Sequence, residues 1–312
     1  MTAADPVTAA SPVTAADPVT GADPVTVASS VTVASSVTGA DPLDGLALPL
    51  IAAPMTTVST PALVAAACAA GLVGAFPTSN CRSTTELADW LDEIEATVAA
   101  NLIVHRSNTR LDEDLDTLVR RGVRLVITSV GTPVPVIGPL HRAGVRVFAD
   151  VASLKHAEKA AAAGADGLVL LAAGAGGHTG WANPFAFARA VRRFHDGPLV
   201  LAGGISDGTA LWSAITLGYD LGYMGTRFIA TAESGATDAW RRAVVDATLD
   251  DITLGTAPNG VTVSLLPGAA GSAGHTAAGV HAITTAAEVI DTTRREWNDA
   301  RARTRRLLAA TA

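Results

Sequence analysis

From about Leu46 onward, short runs rich in β-branched residues and leucine alternate with alanine-rich segments whose apolar positions recur at helical spacing. The runs predict strands at 48–53, 72–76, 96–104, 123–128, 145–150, 167–172, 198–203 and 221–225. The segments between them predict helices at 60–70, 84–94, 110–121, 134–143, 153–163, 184–195 and 207–217, with a further one at 234–248 after the last strand. Several of these helices end at a glycine suited to a left-handed cap: Gly71, Gly122, Gly144, Gly164 and Gly218. The strand runs are apolar at consecutive positions, so both faces need cover, and a parallel sheet flanked by helices provides it. Eight βα units in roughly 200 residues predict an α/β fold, a closed (β/α)8 TIM barrel, in preference to a doubly wound open sheet.

Outside the alternation the chain changes character. Residues 2–43 repeat a six-residue unit of the type TAADPV or TVASSV. Each unit offers Val as its larger aliphatic and most contain a proline, which suits an extended, disordered tail better than a stacked β-helix. After Gly260 a stretch rich in Gly, Ala and Ser precedes a helix predicted over 284–310, which carries Arg294, Arg295, Arg301, Arg303, Arg305 and Arg306. Such a run reads first as a solvated helical face and second as a surface for an acidic partner. The expected organisation is a low-complexity tail over 1–44, a barrel over 45–256, and a C-terminal loop and helix packing on it over 257–312.

A net charge of -7 across 312 residues argues against nucleic acid as a partner, because phosphate-backbone binding rests on clustered Lys and Arg. No apolar run approaches the roughly 20 residues needed to cross a bilayer, and the first basic residue is Arg82, which supports neither a secretory nor an Arg-rich transit signal. The expectation is therefore a cytoplasmic protein, with an oligomer compatible with the sequence. Cys68 and Cys81 lack metal-ligand spacing and read as free thiols, Cys81 being a weak candidate nucleophile.

In a barrel of this kind the chemistry lies at the C-terminal ends of the strands, with phosphate held after the seventh and eighth. AGGISDG follows the seventh strand and MGTRF completes the eighth. Gly203, Gly204 and Gly225 thus fall where backbone N–H groups would meet a phosphate, and Thr226 adds a hydroxyl. The sequence AAGAGGHTG follows the sixth strand and sets His178 on the same face, among residues small enough to let a flat ligand approach the backbone. A histidine held neutral there can accept a proton from a carbon acid.

Of the other histidines, only His105 falls at a strand end, and no HxH or HExxH pair suggests a metal. Asp150, at the end of the fifth strand, reads equally as an inward-facing carboxyl and as a helix N-cap. GAGGHTG has Thr179 where a dinucleotide fingerprint needs glycine, and no GxSxG elbow is present.

The ordered set IAAPM, AGLVGAF, NL, AGAGGHTG, AGGISDG and MGTRFIATAES, spanning Leu48 to Ser234, resembles the nitronate monooxygenase family, formerly the 2-nitropropane dioxygenases. These are FMN-dependent TIM barrels related to the flavin enoyl-acyl carrier protein reductases. The resemblance implies that Ala53, Pro54 and Met55 line the flavin, that Asn101 hydrogen-bonds it, and that Gly176 and Gly177 border it. It further implies that Gly204 and the run Tyr223, Met224, Gly225 and Thr226 hold the phosphate, and that His178 is the catalytic base. The chain departs from the QGxEAGGH pattern of many members by carrying Leu171 and Gly174 at the Gln and Glu positions.

The activity so implied is oxidation of alkyl nitronates, and of nitroalkanes where accepted, with O2 to a carbonyl compound and nitrite. The alternatives are NAD(P)H-dependent reduction of enoyl thioesters or quinones by the flavin, a flavin-binding or interaction protein without turnover, and a flavin-free barrel that binds a sugar phosphate.

Overall fold

The structure, a computed structural model, describes residues 41–257, 260–269 and 271–311. The hexapeptide repeats up to residue 40 lie outside them, and with them nearly all of the segment expected to be a disordered tail.

Eight parallel strands close a barrel in the order β1 (Leu50–Ala52), β2 (Val73–Pro77), β3 (Val98–Ile103), β4 (Leu125–Ser129), β5 (Arg146–Val151), β6 (Gly167–Leu171), β8 (Leu199–Ala202) and β9 (Leu221–Met224). All eight predicted strands are present. Alternation along each strand explains why their sequences are apolar throughout. In β3, Ala99 faces the barrel interior beside Ile51, Leu125, Ile127, Phe148, Val169 and Val200. Its neighbours Val98, Ala100 and Leu102 face outward into the layer shared with the helices.

The helices of the alternation are α1 (Pro61–Ala69), α2 (Thr84–Glu93), α3 (Leu111–Arg120), α4 (Val134–Arg142), α5 (Leu154–Ala162), α6 (Pro184–Val191) and α7 (Gly208–Leu217). The five glycines expected to cap helices all have positive φ. At the opposite ends, Thr60, Ser83, Ser153, Asn183 and Asp207 each accept a backbone N–H of the first turn. Ser153 therefore caps α5, and Asp150 is left as the inward-facing carboxyl.

Beyond β9 come α8 (Thr226–Ile229), α9 (Asp238–Asp246) and a hairpin of β10 (Thr253–Thr256) and β11 (Thr262–Leu265). β11 pairs antiparallel with β7 (Gly177–His178), placing Val263 opposite His178. This small sheet is absent from the sequence reading. The last helix, α10 (Ala286–Thr311), buries Val289, Ile290, Thr293 and Trp297. Trp297 meets Trp212 of α7 edge-on at 5.2 Å, and Arg301 stacks 5.8 Å from both rings. At least part of the arginine run thus works in packing, with Arg294 paired to Asp291 at 2.7 Å along the helix surface.

Candidate active site

The C-terminal strand ends surround a cavity of about 400 Å³, within the range of roughly 300–1,000 Å³ usual for small-molecule sites. Ala53 and Met55 reach it from the loop after β1, Gly176, Gly177 and His178 from the loop after β6, Gly203 and Gly204 from the end of β8, and Tyr223, Gly225 and Thr226 from β9 and its junction with α8. Three residues that the family resemblance assigns to the flavin do not line it. Met224 is buried among the helices on the outer side of the barrel and contributes its carbonyl, which accepts the Ala53 N–H at 2.9 Å. Asn101 is buried in β3, its Nδ2 donating to the Ile127 carbonyl at 3.0 Å and its Oδ1 accepting from Ser129 at 3.3 Å. Pro54 lies between two lining residues without lining the cavity itself.

Two properties of the glycine loops matter chemically. A Cβ at Gly177 or Gly204 would meet nothing within 4 Å, so both positions leave open space against the backbone that any larger residue would begin to fill. The backbone N–H groups of Gly204 and Gly225 have no acceptor among the described residues. Thr226 Oγ1 accepts the Gly274 N–H at 3.0 Å, which leaves its own hydrogen free to donate. Unpaired amides and a hydroxyl beside open backbone suit a phosphate, and the flat glycine and alanine surface suits an aromatic ring system.

His178 is half-buried, and that burial lowers its pKa, so the imidazole is neutral at neutral pH. Its ring forms no hydrogen bond with the described residues, while its backbone is fixed by the pairing with β11. The lining contains no Lys, Arg, Asp or Glu. His105, the other strand-end histidine, hydrogen-bonds Ser107 at 2.9 Å and does not line the cavity. Cys81 is buried, and burial with the nearby Glu86 carboxylate pushes its thiol up to about 12, which leaves it a poor nucleophile. No group of three or more His, Cys, Asp or Glu able to hold a metal occurs among the described residues. No described helix is long and apolar enough to cross a membrane.

The chain after β9 supplies lining residues that the strand-end argument does not reach: Ile229, Trp240, Gly271, Ser272 and Thr276. His275 belongs to the same segment and explains one departure in the glycine loop. A Cβ at Gly174 would lie 2.6 Å from His275 Nδ1, and Gly174 has φ +89°. The imidazole thus occupies the space into which a glutamate at this position would extend. Gly174→Glu is expected to destabilise the protein by about 2 kcal/mol through overpacking and a left-handed backbone. Adding His275→Ala should restore part of that loss in urea unfolding. Purely additive losses would show that the two positions do not compete for space.

Comparison with known proteins agrees with the geometry. Residues 76–266 match the family model for nitronate monooxygenase. A nitronate monooxygenase of Paraburkholderia phytofirmans is 30% identical over 253 residues, covering 65% of this chain and 69% of that protein. A (3aS,4S,5R,7aS)-5-hydroxy-7a-methyl-1-oxo-octahydro-1H-indene-4-carboxyl-CoA dehydrogenase of Rhodococcus jostii is 31% identical over 217 residues, covering 68% of this chain and 60% of that protein. Among solved structures, FabK of Thermotoga maritima superposes with a TM-score of 0.78 at 24% identity, covering 85% of this chain and 97% of the other. The nitroalkane oxidase of Streptomyces ansochromogenes gives 0.75 at 22%, covering 82% and 97%.

The fold and these relatives together define a barrel oxidoreductase of the flavin-dependent class. Within that class, the chain belongs to the nitronate monooxygenase family.

Proposed function

We propose that the protein binds FMN in this cavity and oxidises alkyl nitronates with O2 to a carbonyl compound and nitrite. The observation that carries the reading is His178, a neutral imidazole in the wall of a glycine-lined cavity without Lys, Arg, Asp or Glu. Gly204, Gly225 and Thr226 would hold the phosphate, and Ala53, Met55, Gly176, Gly177 and Gly203 would face the ring system. FMN held there would supply the redox chemistry that links nitronate to O2.

The protein's own part is binding, orientation and proton handling. An imidazole kept neutral by burial can take the α-proton of a nitroalkane on a ring nitrogen and so generate the nitronate in place. Nitronates arrive already deprotonated and need no such step. The apolar walls, including Ile229 and Trp240, favour a small substrate with an alkyl chain.

The discriminating experiment compares nitrite release from propyl nitronates in air with anaerobic mixing of the protein with NADH or NADPH. Nitrite without rapid flavin bleaching is expected. Rapid bleaching by a nicotinamide with no nitrite would replace this reading with a reductase.

A further inference from the structure

The loop after β1 lines the cavity with Met55, Thr56, Thr57 and Val58, yet its backbone takes a shape that its own residues disfavour. Thr57 has φ +62°, and Val130 is the one other non-glycine residue with a positive φ among those described. The left-handed region is unfavourable for a β-branched side chain, and such a conformation persists only where the surroundings hold it.

The hold comes from Asn80, the last residue of the 3-10 turn Thr78–Asn80 that follows β2. Its Oδ1 accepts the Thr57 N–H at 3.0 Å, while its Nδ2 donates to the Met55 carbonyl at 3.1 Å and to the Ser59 carbonyl at 3.0 Å. Ser59 Oγ ties the same turn by accepting the Met55 N–H at 2.9 Å. Asn80 does not itself line the cavity. What it holds does: a Cβ at Gly225 would lie 3.3 Å from Met55 Sδ, so Met55 rests beside the residue whose N–H has no acceptor among the described residues.

We propose that Asn80 is a positioning residue for the cavity: its side-chain amide keeps Thr57 left-handed and so holds the Met55–Val58 wall in the shape that receives the flavin. This rests on the flavin reading, in which Met55 faces the ring system and Gly225 holds the phosphate. Without the Asn80 amide the Thr57 N–H loses its acceptor and the turn relaxes toward negative φ, drawing Met55 away from Gly225. Flavin then binds only the fraction of molecules that keep the original shape, and its apparent affinity falls by that fraction. A glycine in place of Thr57 would adopt the left-handed conformation readily and need no such support.

The test is a double-mutant cycle read by fluorescence titration of the flavin-free full chain with FMN, with urea unfolding of each protein alongside. Asn80→Ala should weaken FMN binding on the order of tenfold, the scale set by holding a non-glycine residue left-handed. In the Thr57→Gly background the same Asn80→Ala change should weaken it by no more than about threefold, because the conformation that Asn80 enforces is then freely accessible. A role confined to joining the loops after β1 and β2 would lower the urea midpoint in both backgrounds and leave the two losses of FMN affinity equal.

Equal losses of FMN affinity in the two backgrounds, or no loss in either, would overturn the proposal. Amide exchange resolved to single residues gives a readout that needs no variant to fold. In wild type the Thr57 N–H should exchange about tenfold more slowly than the neighbouring Thr56 N–H, which has no acceptor among the described residues. Equal exchange at the two positions would count as heavily against the proposal. Failure of wild type to bind FMN at all would instead overturn the flavin reading, and the proposal with it.

Discussion

Replacing His178 with alanine is expected to lower turnover of neutral nitroalkanes by about a hundred- to ten-thousand-fold while leaving nitronate turnover within about an order of magnitude. The asymmetry follows from the chemistry, because only the nitroalkane has an α-proton to lose. Burial lowers the His178 pKa, so the imidazole is already in its basic form at neutral pH. The nitroalkane kcat/KM of wild type should accordingly rise with pH through an apparent pKa below the ordinary histidine value and then level off. Steady-state kinetics with a nitroalkane and its nitronate across that range check both statements. Equal losses on the two substrates would remove His178 from the role of base and leave it as a positioning group.

The second large effect concerns the clamp that holds the C-terminal helix. Gly208 opens α7, and a Cβ there would lie 2.1 Å from both the Thr293 carbonyl oxygen and the Trp297 nitrogen of α10. Those are backbone atoms, so no rotamer change relieves the overlap and the two helices must separate. Gly208→Ala is therefore expected to cost about 3 kcal/mol or more, at the upper end of overpacking effects. The loss should extend beyond the substituted position. The Gly208 N–H to Glu296 contact at 3.0 Å, the Trp212 to Thr304 bond at 2.8 Å and the edge-on tryptophan pair all span the same interface. Gly138, inside α4, is the matched control, since beyond its chain neighbours a Cβ there meets only the end of the Arg142 side chain at 3.4 Å. Gly138→Ala should shift stability by no more than about 1 kcal/mol, the gain in helix propensity being offset by crowding of the new Cβ against the ring of Pro139. Urea unfolding of the three proteins decides the point, and similar midpoints for Gly208→Ala and wild type would contradict the packing argument.

What the sequence disclosed, and what it did not, follows from the range of the forces involved. The barrel strands are legible because each is apolar on both faces, and the helix ends because Gly71, Gly122, Gly144, Gly164 and Gly218 sit where the chain turns left-handed. Most of the cavity is legible for a related reason, since strand ends in a barrel fall on one face and the glycine motifs mark them. The β10–β11 hairpin was less visible: TLGT and TVSL are short, and Gly255 interrupts the first. Asn259-Gly260 between them is nonetheless a hairpin signal. The partnership of Gly174 with His275 had no local signature at all, because it joins residues a hundred positions apart. Asp150 was ambiguous in sequence because a carboxyl before SLK suits a helix cap, and only the bond from His156 N–H to Ser153 at 3.2 Å settles which residue serves.

Nitronate oxidation by this protein requires first that a flavin occupy the glycine-lined cavity. The visible spectrum of the purified full chain tests this directly, followed by identification of the flavin released on denaturation. A resolved flavin spectrum near one equivalent per chain, with FMN released, is the predicted result. A colourless protein that takes up no FMN when it is supplied would contradict the account.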